Sequence, residues 1–329
     1  MTIALVRFIP TDTDIPFIRH RMAAFGASVA LMLGSLGALS GLGLNFGIDF
    51  LGGAAIEVKT EGPADIGALR AVLIDLELGD VQVQGFGAED EALVRVGQVS
   101  AEHVNEIEGY AVNDDAEAQQ AVRQIVSAAL QEAFPGITFR RTETLSPQVS
   151  GELRVKGATA VGVALLLMLL YIWFRFEWQY SVGAVLALIH DVIATVGFFA
   201  VTQLEFNLPT IAAILTIVGY SMNDTVVVYD RIREKFRKYK TKPTEDVLNM
   251  AINKTLSRTI LTSGTTLVAI VAMAVIGGPA LEGFTLALIW GVAIGTYSSI
   301  FVAAPLLTLT GVKRGADEDG DSGFFDNAP

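Results

Sequence analysis

Apolar and polar positions sort this chain into long uninterrupted apolar runs and one region of short-period patterning. Apolar runs near the roughly 20 residues that a bilayer-crossing helix needs are read at Ala23–Leu44, Gly157–Phe174, Tyr180–Val201, Leu208–Tyr229, Thr259–Ile276 and Phe284–Leu309. Between the first two runs the pattern changes. Ala54–Thr60 alternates as a strand does, and Asp65–Leu76 carries apolar residues at helical spacing. Val81–Phe86 and Ala92–Val99 read as strands around a turn at Gly87–Glu91. Asp115–Phe134 reads as a helix, with Asp114 or Asp115 as its cap and Pro135-Gly136 as its stop. Ile137–Leu145 reads as the last strand. The order β-α-β-β-α-β is the ferredoxin-like split unit, with two helices expected on one face of four strands.

The predicted architecture is therefore a polytopic α-helical membrane protein with six transmembrane helices and one α+β ferredoxin-like domain. Residues 1–22 form an N-terminal segment, 23–45 the first span and 46–156 the outer domain. Residues 157–229 hold spans two to four, 230–257 a basic loop, 258–310 spans five and six, and 311–329 an acidic tail expected to be disordered. Within the loop, Thr244 after Pro243 can cap a helix whose Val247, Leu248, Ala251 and Ile252 form one apolar face, as in an interfacial helix lying on the membrane.

Charge orients this arrangement. The chain carries 23 Lys plus Arg against 35 Asp plus Glu, a net charge of −12 that does not suit nucleic-acid binding. The basic residues gather at Arg19-His20-Arg21, at Arg231–Lys254 and at Lys313-Arg314, which places both termini and the basic loop in the cytoplasm and the acidic domain outside. The basic run can also be a partner-docking surface. With no cysteine and only His20, His103 and His190, far apart in sequence, no metal site or cofactor is expected. No nucleotide loop, thiol or plausible triad points to an enzyme. The scattered carboxylates of the outer domain fit a solvated surface better than a metal site.

Chemistry enters through charges inside the apolar runs. Asp224 lies within the fourth, beside Tyr220, Ser221, Asn223 and Thr225. A carboxylate at such depth is costly and usually faces a protein interior or a watered cavity, where it can carry protons. The blander reading is a solvated residue at the membrane edge. Arg258 opens the fifth run, where it can reach Asp224 directly or through Thr262 and Ser263, or can anchor to lipid phosphate. Asp191, next to His190 in the third run, can relay protons or simply hydrogen-bond a neighbouring helix. Gly47, Asp49, Gly52 and Gly53 lie in a glycine-rich stretch that reads as the turn leaving the membrane.

The stretches GIDFLGG at Gly47–Gly53, SPQVSGELRVKG at Ser146–Gly157, HDV at His190–Val192, VGYSMNDTVVVYDRIRE at Val218–Glu234, SRTILTSGTTL at Ser257–Leu267 and GGPALEGF at Gly277–Phe284 resemble the SecF family of protein-export membrane proteins, in the RND superfamily. Leu51 and Met222 depart from the usual family residues, and neither change touches an ionisable group. The resemblance implies an inner-membrane half-transporter with a periplasmic domain, working with SecD at the SecYEG translocon, with YajC and YidC as further partners. It implies that proton-motive force assists export of a translocating polypeptide, and that Asp224 and Arg258 are tied to proton passage. The alternative is an RND-type exporter of small molecules or lipids, for which the outer domain is small and the spans number half the usual set.

Overall fold

The structure, a computed structural model, describes residues 13–107, 110–278 and 281–311; the expected acidic tail and Lys313-Arg314 lie outside the described residues. Six helices are long and apolar enough to cross a membrane: Phe17–Leu42, Pro147–Arg175, Trp178–Thr202, Leu208–Lys238, Thr244–Ile276 and Glu282–Thr310. They are spans one to six. The most apolar stretches of spans three, four and six are 56%, 50% and 56% buried, against 11%, 11% and 17% for spans one, two and five. Spans three, four and six therefore form the centre of the bundle. Spans one, two and five carry outward apolar side chains such as Leu33, Leu167 and Val268, as a lipid-facing surface does.

The helices are labelled in chain order. α1 (Arg21–Leu42) follows a short 3-10 turn at Phe17–His20, and α2 (Ile48–Leu51) lies in the glycine-rich stretch. The α+β domain contains β1 (Gly53–Lys59), α3 (Ile66–Ile74), β2 (Val81–Phe86), β3 (Ala88–Val96), α4 (Ala101–Asn105), α5 (Asp115–Ala133) and β4 (Thr138–Leu145). Its sheet runs β2-β3-β1-β4 with every neighbouring pair antiparallel. Ile56, Val58, Val94 and Val96 meet Leu69 and Leu73 of α3 and Val122 and Val126 of α5, so both helices cover one sheet face. The side chain of Asp65 accepts from the Ala68 N–H, and that of Asp114 from the Glu117 N–H, satisfying donors at the two helix starts.

Some boundaries differ from the sequence reading, each for a local reason. The β2–β3 turn closes at Gly87 (φ +75°), and β3 begins at Ala88 rather than Ala92. A register shift between Gly85 and Phe86 accommodates the tight turn. Span two is part of α6 (Pro147–Arg175), which starts ten residues before the predicted Gly157. Pro147 opens it, where a missing N–H costs nothing.

The interfacial helix expected in the basic loop is not separate. α8 (Leu208–Lys238) continues past the apolar run, and α9 (Thr244–Ile276) is one helix through the predicted interfacial segment and span five. Val247, Leu248, Ala251 and Ile252 are buried against Ile18 and against Ile232 and Phe236 of α8, so this face packs on protein rather than on headgroups. The cap position is Pro243, and Thr244 is already helical. Span six comprises α10 (Glu282–Ser298), a π-turn at Ser299–Ala303 and α11 (Ala304–Thr310). α7 (Trp178–Thr202) is span three.

Candidate proton-coupling site

The central spans enclose two carboxylates, each held by hydroxyl groups from neighbouring helices. Asp224 of α8 is 8% exposed. Its Oδ1 accepts from Thr259 of α9 at 2.8 Å and its Oδ2 from Ser299 of span six at 2.6 Å. Asp191 of α7 is 0% exposed. Its Oδ2 accepts from Ser221 of α8 at 2.5 Å and from Ser298 of α10 at 2.7 Å, and its Oδ1 lies 2.9 Å from His190 Nδ1. His190 Nε2 is buried without a hydrogen-bond partner among the described residues. Above Asp224, Tyr220 donates to Ser263 of α9 at 3.1 Å, and Ser263 shares a 2.7 Å bond with Thr296 of α10. A polar seam thus runs between α8, α9 and span six inside an otherwise apolar bundle.

Close backbone approach makes the seam possible. A Cβ on Gly291 would collide with Ile217, and one on Gly295 would meet Ser221 Cβ at 3.0 Å. These glycines let span six lie tightly against α8, so short serine hydroxyls suffice to reach the carboxylates. The same use of small residues brings transmembrane helices together in general.

Of the residues singled out in the sequence, Ser221 and Ser263 line this seam, and Thr225 is buried beside it. Asn223 and Thr262 are exposed and do not. Arg258 is also exposed, and among the described residues no ion pair joins it to Asp224. Thr259, one position on, faces the carboxylate, and a helix turns successive side chains about 100° apart. The charge of Arg258 still acts on Asp224 through space. Thr259, Ser298 and Ser299 were not singled out in the sequence. Thr259 stands at the first position of its apolar run and the two serines lie among other small residues, so none of the three carries a distinct local signal.

The glycine-rich stretch does more than turn the chain. Asp49 Oδ2 accepts the Leu208 N–H at 2.8 Å, at the start of span four. Phe46 pairs with Phe206 in a parallel bridge, and Asn45 donates to the Gln203 carbonyl at 2.9 Å. A Cβ on Gly47 would push aside the Glu205 carboxylate; on Gly53 (φ +107°) it would strike the Val96 carbonyl, so Gly53 needs glycine. Gly52 also has positive φ, at +73°. Arg95 of β3 pairs with Glu205 in the link between spans three and four, and donates to Asn45 at 3.2 Å. Burial pushes the Glu205 carboxyl above the usual glutamate range, against the pull of Arg95. These contacts clasp the α+β domain onto one end of the bundle.

The family described as protein export membrane protein SecD/SecF, C-terminal, matches residues 125–313, and the SecD/SecF GG motif matches residues 37–64. A protein translocase subunit SecF of Rhodobacter capsulatus is 42% identical over 326 residues, covering 98% of this chain and 97% of its own. That of Cereibacter sphaeroides is 45% identical over 318 residues, covering 94% of both. Among solved structures, a crystal structure of SecDF, a translocon-associated membrane protein from Thermus, matches with a TM-score of 0.79 at 34% identity over 92% of this chain. A SecDF in a super-membrane-facing form matches with a TM-score of 0.65 at 35% identity over 94% of this chain. The chain spans 39% and 40% of the length of those two SecDF chains. A family match over more than half of the sequence and near-full-length relatives above 40% identity lead to one conclusion: this multi-pass membrane protein belongs to the SecF family of protein translocase subunits.

Proposed function

We propose that the chain works with a SecD partner at the SecYEG translocon, where it uses proton-motive force to assist export of unfolded polypeptide. The α+β domain then faces the periplasm, and both termini and the turn between α8 and α9 face the cytoplasm. Charge supports this orientation. Arg21 forms a 2.6 Å ion pair with Glu245, which joins the basic N-terminal segment to the basic α8–α9 end, and the positive-inside rule assigns that end to the cytoplasm.

One observation carries the proton assignment: Asp224 sits in the bundle with two hydroxyl donors and no ion-paired cation among the described residues. An unpaired carboxylate in a low-dielectric interior is costly as an anion and cheap as an acid. Its partners can serve both states. Ser299 Oγ also lies 3.0 Å from the Thr296 carbonyl. When Asp224 takes a proton, the new carboxyl O–H can donate to Ser299 Oγ while the serine O–H turns to that carbonyl. The hydrogen-bond count is conserved as the charge is lost. Arg258, in no ion pair among the described residues, favours the anion whenever its guanidinium approaches. The movement of α9 against α8 and span six that such an approach needs would be passed to the α+β domain through the clasp at Glu205 and Asp49.

The test is export from inverted membrane vesicles at saturating ATP, with and without an uncoupler. Asp224→Asn should assemble with SecD and lose the uncoupler-sensitive part of export; Asp224→Glu should keep some of it. An Asp224→Asn complex that responds to the uncoupler as fully as wild type would move the role to Asp191 or to the partner.

A further inference from the structure

Span six touches both buried carboxylates through adjacent residues. Ser298 donates to Asp191 at 2.7 Å and Ser299 to Asp224 at 2.6 Å, and both serines are fully buried. On a helix, neighbours point about 100° apart, so these two hydroxyls reach carboxylates on different flanking helices. They stand where the helix changes form, since the π-turn begins at Ser299. Pro305 accounts for that turn: its ring displaces the carbonyl four residues earlier and supplies no N–H. Two residues before Pro305, the Ala303 carbonyl accepts from the Tyr229 hydroxyl of α8 at 3.1 Å and ties the turn to the neighbouring helix. Single π-turns of this kind recur at functional sites.

Each serine also has a second acceptor. Ser298 Oγ lies 3.2 Å from the Gly295 carbonyl, as Ser299 Oγ does from that of Thr296 at 3.0 Å. The groups facing Asp191 are His190 on its own helix, Ser221 of α8 and Ser298 of α10. The His190 ring lies 6.1 Å from that of Tyr297, whose hydroxyl is tied to Ser28 and the Ala24 carbonyl of α1. Facing Asp224 are Thr259 and Ser299, with Arg258 acting at longer range. His190 Nε2 is buried and has no partner among the described residues, so among them the His190–Asp191 pair retains one unmet hydrogen-bonding position in the core.

We propose that the Ser298-Ser299 step of span six joins Asp191 and Asp224 into one coupled proton-binding unit, with the two serines as positioning residues. This rests on the assignment of Asp224 as a proton-binding group. The anion of Asp191 disfavours the anion of Asp224 by charge, and its grip on Ser298 sets how Ser299 is presented to Asp224. The two serines therefore act on Asp224 with opposite sign. Ser298→Ala removes a donor from the Asp191 anion, which favours its protonated form and so relieves the repulsion on Asp224. Ser299→Ala removes a donor from the Asp224 anion itself.

The experiment is the pH profile of uncoupler-sensitive export by the full complex in vesicles. Ser298→Ala should move the profile to lower pH and Ser299→Ala to higher pH, each by roughly half to one pH unit, the scale of one buried hydrogen bond. Ser298→Thr should restore the wild-type profile. Asp191→Asn should move the profile the same way and at least as far as Ser298→Ala, and Ser298→Ala added to it should have no further effect. Opposite shifts would be hard to obtain from general loosening of the bundle. Shifts in the same direction, a full Ser298→Ala effect in the Asp191→Asn background, or an unmoved profile in both Ser298→Ala and Asp191→Asn would overturn the coupling. If Asp224→Asn itself keeps the uncoupler response, the failure lies in the Asp224 assignment and not in the serine step.

Discussion

The α+β domain and the membrane bundle bury opposite kinds of atoms. In the domain, the core of Ile56, Leu69, Leu73, Val94, Val122 and Leu130 is apolar, and its carboxylates stand mostly at the surface. In the bundle, Leu33, Val268 and Val275 point outward, while Asp191, Asp224, Ser221, Ser298, Ser299 and Thr259 are buried. Water explains the first arrangement through the hydrophobic effect. A lipid surround removes that driving force, so interior polar contacts and close packing hold the bundle instead. The lesson is that a buried polar group is a defect to be explained in the domain and part of what joins the helices in the bundle.

The comparison breaks most sharply with core truncation. Leu69→Ala should destabilise the α+β domain by about 2–5 kcal/mol, because Leu69 is fully buried between helix and sheet. Chemical denaturation followed by hydrogen exchange within the domain would read this, with the spans unaffected. At the boundary of the two regions, Arg95→Ala should weaken the clasp by about 2 kcal/mol. That is less than a fully buried pair would lose, since the Glu205 side chain keeps 27% exposure. Faster proteolysis of the 203–207 link would report it. Inside the bundle, Thr259→Val preserves shape and removes one donor from Asp224. Its expected cost is about 1 kcal/mol, together with a displaced export pH profile. Loss of stability with an unmoved profile would mean that Thr259 only packs.

Much of the architecture was legible because it depends on period and length. Six long apolar runs, and a β-α-β-β-α-β order with a cap at Asp114 or Asp115, were readable from local pattern alone, and the structure places the cap at Asp114. Asp224 was legible because a carboxylate in an apolar run is conspicuous. Its partners were not, for a geometric reason. Ser298 and Ser299 lie 75 or more positions from the carboxylates they hold, in a run of small residues where serine has no distinct signature. Arg258 drew attention by its charge, yet helix phase turns Thr259 inward in its place. The interfacial helix was misplaced because an apolar face of helical period looks the same whether it meets headgroups or the side of α8. The Arg95–Glu205 contact joins residues 110 apart and no local rule could anticipate it.

The smallest effect expected is on pH-dependent stability of the domain. Burial holds Glu57 above its ordinary value of 4.5, with Glu143 and Glu91 adding to the rise and Arg141 opposing it. A carboxyl raised in the folded state contributes stability that is present in full below 4.5 and is lost as pH climbs through the folded value. Glu57→Gln should therefore raise stability at neutral pH by a few tenths of a kcal/mol, and the gain should vanish below the ordinary glutamate range. A gain that persisted in acid would point to packing.

The central claim is that Asp224 binds and releases the proton, and infrared difference spectroscopy of the complex in lipid tests it most directly. Titrating the wild-type complex should reveal the carbonyl stretch of a protonated carboxyl that disappears as pH rises, and Asp224→Asn should lack that band. A band that persists unchanged in Asp224→Asn would contradict the account.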